Sequence, residues 1–373
     1  MQKTGILGGG QLGRMLLQQA ANYPVETYIM ENDPQCAAAH LCHHFVLGNI
    51  RNYDDVYNFG KGLDALTIEI ESVNVEALEK LEAEGVKVYP HPSTLRLIKN
   101  KILQKEFYKQ HDIPSAEYLV VQNKKELEQK STFLPAFNKL AEGGYDGRGV
   151  AILKTVDDLK FGFDAPGIVE KLIPVQKEIS VIIAISDTGQ TAFYPPVEMV
   201  FDPKLNLLDY QVCPADVPEN TLWRIEAIAV KVAKALKSPG LFAVELFVDT
   251  NQVVYVNETA PRVHNSGHHT IEANFCSQYD MLWRILLGYP LGNTSIIKHS
   301  ALVNLIGDKD YNGDVQYQGL PETLALGNTY VHLYGKKQTR PGRKMGHVTL
   351  IGDHTKDLIR KALLIKSQLK VIA

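Results

Sequence analysis

The sequence predicts an α/β protein, its first third a parallel sheet flanked by helices and its remainder rich in short strands. Three observations carry that expectation. Apolar runs and helical periods alternate from residue 4 to residue 89. Residues 138–149 read as strand, glycine loop and strand. Two apolar runs, 241–249 and 253–259, each carry one glutamate and are separated by a short polar turn.

At 373 residues the chain has room for about two to three domains with ample core. Hydrophobic content of 45% and charged content of 22% are those of an ordinary globular protein. A net charge of −3 and the lack of any Lys/Arg block argue against nucleic acid as a partner. Cys36, Cys42, Cys213 and Cys276 show no C-x-x-C spacing, which predicts reduced thiols. No apolar stretch approaches the ~18 residues of a membrane span, and the first residues lead directly into a strand. The expectation is a cytoplasmic enzyme with no membrane partner.

In the first third, a strand at 4–7 leads into Gly8-Gly9-Gly10-Gln11-Leu12-Gly13, and a helix is predicted over 14–21. The glycines satisfy G-x-G-x-x-G, and the strand at 27–30 ends at Glu31, the fingerprint's acid at about the right distance. Three readings stay open: a dinucleotide site, a small phosphate-bearing or amine substrate at a helix N-terminus, or tight packing alone. A strand at 66–70, a helix at 75–83 and a strand at 86–89 complete the alternation that predicts a parallel sheet. Glu69 and Glu71 flank Ile70 at that strand's C-terminal end. Ligands bind at this edge in open α/β sheets, so one carboxylate faces the cleft or both are solvated.

Pro90-His91-Pro92-Ser93 marks a boundary, and Ser93 or Thr94 is placed to cap a long helix over 95–110 bearing Lys99, Lys101 and Lys105. Helix lysines of this kind are usually solvated. Strands at 118–121, 167–173 and 177–185 follow, with helices at 124–130 and 222–236. Between them, Lys139 precedes four glycines within seven residues, at 143, 144, 147 and 149. Without Cβ atoms such a loop can lay backbone N–H groups on a phosphate chain, although glycines serve ordinary hairpins too. If the later hairpin closes symmetrically about Asn251-Gln252, Glu245 lies opposite Glu258. Opposed carboxylates repel. A divalent cation gives them a purpose, since Mg²⁺ at nucleotide phosphates takes one or two carboxylates and completes its octahedron with water. The strand period then puts Arg262 on the face of Glu258, provided the strand extends that far.

Four blocks resemble a known family in its own order: Gly10-Gln11-Leu12-Gly13-Arg14-Met15, the Gly143–Gly149 loop, Pro261-Arg262-Val263-His264-Asn265-Ser266-Gly267-His268 and Arg340-Pro341-Gly342-Arg343-Lys344-Met345-Gly346-His347. The resemblance is to the ATP-grasp enzymes and, more narrowly, to the 5-(carboxyamino)imidazole ribonucleotide synthases. It implies an α/β (α+β) ATP-grasp fold with an N-terminal Rossmann-like parallel-sheet domain and a small β-rich C-terminal domain. The parts implied are 1–92, 93–292 (flap about 115–185) and 293–373.

The activity implied is condensation of ATP, bicarbonate and 5-aminoimidazole ribonucleotide, with Mg²⁺ or Mn²⁺, in a homodimer. By the same resemblance Lys101 and Lys139 hold ATP phosphates under a flap of Gly144, Tyr145, Asp146, Gly147, Arg148, Gly149 and Val150. Glu170, Lys171, Leu172 and Ile173 line the adenine pocket, and Glu178 accepts the ribose hydroxyls. Glu245 and Glu258 carry the metal with Asn257. Tyr145, Asp146, Arg262 and His264 face bicarbonate and the imidazole, and Gln11 and Leu12 of the first block bind substrate. Arg340, Arg343 and Lys344 bind the ribotide phosphate; as an exposed basic turn they need no ligand. Lys139, Asp146, Arg262 and His264 are the implied catalytic set.

Two positions depart from the wider pattern. Ala260 stands where many ATP-grasp relatives have a metal-binding Asn, and Glu198-Met199-Val200-Phe201 stands where Glu-Asn-x-His is expected, so no nucleotide contact is carried to that segment. The last third reads as a connector (290–300), strands at 302–305, 329–333 and 347–350, and a helix over 356–369. The rivals are an ATP-grasp ligase that activates formate or an amino acid, an NAD-dependent oxidoreductase, and a nucleotide-binding regulator without turnover.

Overall fold

The structure, a computed structural model, describes residues 1–144, 149–201 and 208–373. Its first unit alternates as the sequence predicts: β1 (Gln2–Leu7), α1 (Gln11–Ala20), β2 (Val25–Glu31), β3 (His44–Leu47), α2 (Tyr53–Gly60), β4 (Ala65–Ile68), α3 (Val75–Ala83) and β5 (Lys87–Tyr89). The five strands are parallel in the order β3-β2-β1-β4-β5. Ile6 and Leu7 on the central strand are fully buried, as strands covered on both faces require. Two boundaries differ from expectation. The first helix starts at Gln11, inside the glycine block, and β4 stops at Ile68, which frees Glu69 and Glu71 from the sheet.

The expected long helix is two, α4 (Pro92–Lys99) and α5 (Lys101–Gln110). Asn100 takes an extended conformation, and its side chain accepts from the N–H groups of Ile102 and Leu103. Neither Ser93 nor Thr94 caps α4, which begins with Pro92 at its first position behind His91. The break puts Lys101 at a helix start, where its N–H donates to Ala141 O.

Next come β6 (Tyr118–Val121), α6 (Lys124–Gln129), β7 (Ala136–Leu140), β8 (Val150–Leu153) and β9 (Gly167–Lys171), which form an antiparallel sheet in the order β6-β9-β7-β8. Its apolar face packs Val121, Leu127, Leu153, Leu159 and Val169 together.

The large sheet begins with β10 (Val175–Ile185), β11 (Thr191–Phe193), β12 (Val197–Phe201) and β13 (Leu208–Cys213). After α7 (Glu219–Ala235) come β14 (Gly240–Asp249), β15 (Val254–Ala260), α8 (Thr270–Ala273), α9 (Gln278–Leu287) and β16 (His299–Ile306). The chain ends with β17 (Gly313–Asp314), β18 (Gln316–Gln318), α10 (Leu320–Leu324), β19 (Thr329–Leu333), β20 (Gln338–Thr339), β21 (Lys344–Gly352), α11 (Thr355–Gln368) and β22 (Lys370–Ile372). The sheet order β15-β14-β10-β12-β13-β16-β21-β19 crosses from the middle of the chain into its last third through the β13–β16 pair. A division at 292/293 therefore falls in a connector, while the sheet continues past it.

Helix α7 covers one face of this sheet, with Ile225, Ala229 and Val232 packed in one cluster with Ile179, Val181 and Ile183 of β10 and with Phe242 and Val244 of β14. On the other face α9 meets α1, and the Trp283 indole N–H donates to Leu16 O at 2.7 Å, which ties the first unit to the second. All four cysteines are free thiols. No helix among the described residues is long and apolar enough to cross a membrane.

Candidate active site

Glu245 and Glu258 face each other across β14 and β15, as the sequence predicts, but by a different route. The chain turns over Thr250, Asn251 and Gln252, with Asp249 N–H bonded to Val253 O and Gln252 at φ 63°. That three-residue turn alone, one residue longer than a closure about Asn251-Gln252, would set Asn257 opposite Glu245. A register shift between Glu245 and Leu246 makes Asn257 an extra residue and brings Glu258 back across from Glu245. Such a bulge turns two successive side chains toward one side. Asn257 Oδ1 lies 3.3 Å from Lys139 Nζ, and Glu258 Oε2 lies 2.6 Å from Lys101 Nζ. Glu258 still keeps 45% of its side-chain surface open to the cleft.

The two carboxyls are driven apart electrostatically. Lys101 holds that of Glu258 well below the usual range, while burial, then the Glu258 charge, pushes that of Glu245 well up. Two carboxylates and an amide oxygen form an all-oxygen donor set that suits a hard divalent cation with water in the remaining positions. Among the described residues no group of three or more His, Cys, Asp or Glu side chains could hold a metal.

Behind this pair Glu170 is gripped by both Lys139 and Lys105. Lys105, expected in solvent, is 3% exposed. It lies one turn beyond Lys101 on α5, and that i,i+4 spacing is the signal by which the sequence could have revealed it. Lys101 and Lys139 thus converge on the same acidic centre. The backbone of β9 ends beside Glu170 at Lys171, whose ammonium turns away to Phe133 O at 2.8 Å; Leu172 and Ile173 are half-buried after it. Glu178 on β10 has its carboxyl pushed up to about 7 by burial, against the pull of Lys139. Gly144 and Gly149 close the loop between β7 and β8, where a Cβ on Gly149 would come within 3.1 Å of the Gly144 Cα; Val150 pairs with Lys139. Tyr145, Asp146, Gly147 and Arg148 lie outside the described residues. Glu198, in the segment that departs from the family pattern, is tied to Lys177 at 2.8 Å.

Strand β15 ends at Ala260, so Arg262 does not share its face with Glu258 by strand period. Its guanidinium instead pairs with Glu71, with Nε 2.8 Å from Oε1, and Nη1 donates to Val263 O. Glu71 is thus neither in the sheet nor free in solvent. His264 follows, with Nε2 3.5 Å from Glu245 Oε1.

The glycine fingerprint has a different use from the dinucleotide reading. The Glu69 carboxylate accepts from the N–H groups of Gly10, at 2.8 Å, and Gly13. Glu31 accepts from Gly9 at 3.0 Å. The chain's own acids therefore fill the positive end of α1, and a Cβ on Gly10 would meet Glu69 Oε1 at 2.2 Å. Burial pushes the Glu69 carboxyl up to about 7 despite those two bonds. Leu12, expected near substrate, is packed in the core, whereas the Gln11 side chain reaches outward.

Gln11 meets the last third of the chain. Its Oε1 accepts from Lys336 Nζ at 2.8 Å, and Lys336 also donates to Lys344 O. Arg340, Pro341, Gly342 and Arg343 form a turn closed by Arg343 N–H to Arg340 O, with Gly342 at φ 73°. Arg343 Nη1 donates to Gln338 O at 2.6 Å. Burial lowers the Lys336 ammonium to about 8, and Arg343, Lys344 and Arg340 add repulsion. Such a gathering of cations suits an anion. The sequence offers no reason to prefer Lys336 over Lys337, which is exposed and reaches Gln35.

Comparison with known proteins adds the following. Residues 1–99 match the ribonucleotide synthetase preATP-grasp domain, 106–279 the ATP-grasp domain, and 300–361 the phosphoribosylaminoimidazole carboxylase C-terminal domain. An N5-carboxyaminoimidazole ribonucleotide synthase of Brucella melitensis is 35% identical, over 94% of this chain and 96% of its own. A chloroplastic phosphoribosylaminoimidazole carboxylase of Vigna aconitifolia is 34% identical over 94% of this chain, which spans only 64% of that relative's length. Among solved structures, the N5-carboxyaminoimidazole ribonucleotide synthetase of Thermotoga maritima superposes with a TM-score of 0.93 at 35% identity, covering 100% of both chains. An enzyme from Aspergillus clavatus, in complex with ADP and 5-aminoimidazole ribonucleotide, gives 0.88 at 30% identity, covering 98% of both.

Proposed function

The chain belongs to the N5-carboxyaminoimidazole ribonucleotide synthase family of ATP-grasp proteins, and from that premise we propose that it carboxylates the exocyclic amine of 5-aminoimidazole ribonucleotide at the expense of ATP. The observation that carries this reading is the convergence of Lys101, Lys139 and the opposed Glu245 and Glu258 on one cleft, with a separate cation cup at Arg340, Arg343 and Lys344.

A bicarbonate oxygen attacks the γ-phosphorus, the bond to the bridging oxygen breaks, and ADP leaves. The amine then takes the carboxyl carbon of carboxyphosphate, or the CO2 released from it, and phosphate departs. Lys101 and Lys139 offset charge on the phosphates, and the Glu170–Ile173 segment and Glu178 hold adenine and ribose. Mg²⁺, or Mn²⁺, held by Glu245, Glu258 and Asn257 would draw electron density from the transferring phosphoryl oxygens. Arg262, steadied by Glu71, faces the carboxylate. Lys336 joins Arg340, Arg343 and Lys344 around the ribotide's phosphate, beside Gln11. Gly144–Val150, closing over the site, keeps water from the acid anhydride. The amine's proton falls to Asp146 or His264. The proposal includes three parts (1–92, 93–292 and 293–373), a homodimer and a cytoplasmic location.

The test is ADP release with ATP and Mg²⁺, adding 5-aminoimidazole ribonucleotide and bicarbonate singly and together. Release that requires the ribotide and yields a carboxylated product supports the reading. Release with glycinamide ribonucleotide and formate overturns the substrate, and no release under any condition overturns the activity.

A further inference from the structure

The first residue of α9 takes hold of the main chain that bears His264. The Gln278 carboxamide accepts from the His264 N–H at 2.9 Å and donates to the His264 carbonyl at 2.8 Å. A backbone N–H only donates and a backbone carbonyl only accepts, so these two bonds fix which end of the amide is which. Gln278 is fully buried. Backbone in an exposed loop finds its partners in water; here one side chain supplies both. Thr270, also fully buried, closes the loop from within. Its Oγ1 accepts from the Gln278 N–H at 2.9 Å and donates to Gly267 O at 2.6 Å. Gly267 leaves room for the amide, since a Cβ there would stand 2.5 Å from Gln278 Oε1. Helix α9 is in turn held to the first unit, by the Trp283 bond to Leu16 O and by Asp280, which accepts from Gln19 and Tyr23. The first unit also supplies Glu71 to Arg262. Arg262 and His264 thus take their positions from the same unit that presents Gln11.

We propose that Gln278 is a positioning residue for carboxyl transfer, holding the main chain of His264, and with it the Arg262–His264 stretch, against the first unit. The roles of Arg262 and His264 rest on the proposed carboxylation; the clamp on the backbone does not. Lys101, Lys139, Glu245 and Glu258 stand on α5, β7, β14 and β15, outside the clamped loop, so loss of the clamp leaves ATP bound. What it disturbs is the placing of the carboxyl group against the amine, where a displacement of ~1 Å costs ~100-fold in rate. A side chain that only filled space would be replaced without that effect by methionine, which is unbranched, close to glutamine in length and without its amide.

The experiment compares the full chain with Gln278→Met and with Gly267→Ala. The second variant removes no polar group and only drives a methyl group into the carboxamide, the movable end of a flexible side chain. Hydrogen–deuterium exchange without substrate tests the clamp. The His264 amide should exchange at least ~10-fold faster in both variants, as the loss of one hydrogen bond allows. Unchanged exchange overturns the clamp whatever the substrate proves to be. Turnover tests the positioning, counted per ATP site by calorimetry so that a loss of folded chain does not mimic the effect. Carboxylated product should form ~10–100-fold more slowly in each variant, with the KM for ATP within about twofold of wild type. In the double variant the two losses should not add, because both act through one carboxamide. Wild-type turnover in either folded variant, or additive losses, overturns the positioning role. Should Gln278→Met not fold, Gly267→Ala carries both measurements. No ribotide-dependent ADP release from the wild-type chain overturns the proposed carboxylation, and the exchange result still decides the clamp.

Discussion

Glu258 sits directly across from Glu245 because Asn257 is an extra residue in its strand. Without that bulge Glu258 would be turned toward the packed face that holds Val254 and Val256, where no cation could reach it. The bulge thus delivers a carboxylate and an amide oxygen to the same side of the hairpin, against two lysines.

If that pair carries the metal, Glu258→Gln abolishes ATP turnover and leaves the fold intact. Turnover should fall by at least ~100-fold, with the far-UV circular dichroism spectrum and the unfolding midpoint near wild type. Retained turnover in a folded variant would remove the metal assignment.

If the cations around Gln11 hold the ribotide's phosphate, the Lys336 ammonium is the pH-sensitive one among them. Its pKa is lowered on folding to about 8, by burial first, so the protonated form costs stability below that pH and the cost fades as pH rises toward the ordinary lysine value. Phosphate affinity has the opposite sign, since the cup loses a charge as pH rises through about 8. The KM for the ribotide should climb there while the KM for ATP stays level. Lys336→Met should raise the ribotide KM by ~10–100-fold at pH 7, the value of a charge-assisted hydrogen bond, and flatten the pH dependence.

Glu170 balances two lysines, Lys105 buried and Lys139 partly so. Glu170→Gln leaves both ammonium groups without a counter-charge, and urea unfolding should show a loss of ~3–5 kcal/mol. Lys105→Met should cost less, because Glu170 keeps Lys139. Equal losses in the two variants would mean that Lys139 does not share the carboxylate.

Gly10→Ala drives a methyl group into the Glu69 carboxylate and should cost ~1–3 kcal/mol in the same measurement. Calorimetry with NAD should show no binding to the wild-type chain, because Glu69 already takes the amides that a pyrophosphate would need. Heat from NAD would mean that the carboxylate can be displaced.

The parts of the site that were legible in the sequence are those set by local spacing. The glycine loop after Lys139, the two glutamates on adjacent apolar runs and the basic turn at Arg340 all declare themselves within a few residues. Lys105 was half-legible, through its spacing from Lys101. Lys336 was not, because nothing in its own segment separates it from Lys337. The G-x-G-x-x-G block was legible and misleading, since its partner Glu69 comes more than fifty residues later.

By itself the sequence determined the alternation of the first third, the β7–β8 hairpin and the carboxylate hairpin, because side-chain period, glycine content and turn residues act over one or two turns of chain. Tertiary structure alone decided which charges meet. Lys336 reaches Gln11 across 325 residues of chain, Arg262 finds Glu71 rather than the face of Glu258, and the Glu69 carboxylate occupies the amides of α1. The physical reason is that a charge is worth little until burial strips it of water and packing supplies its partner, and both depend on how distant elements dock.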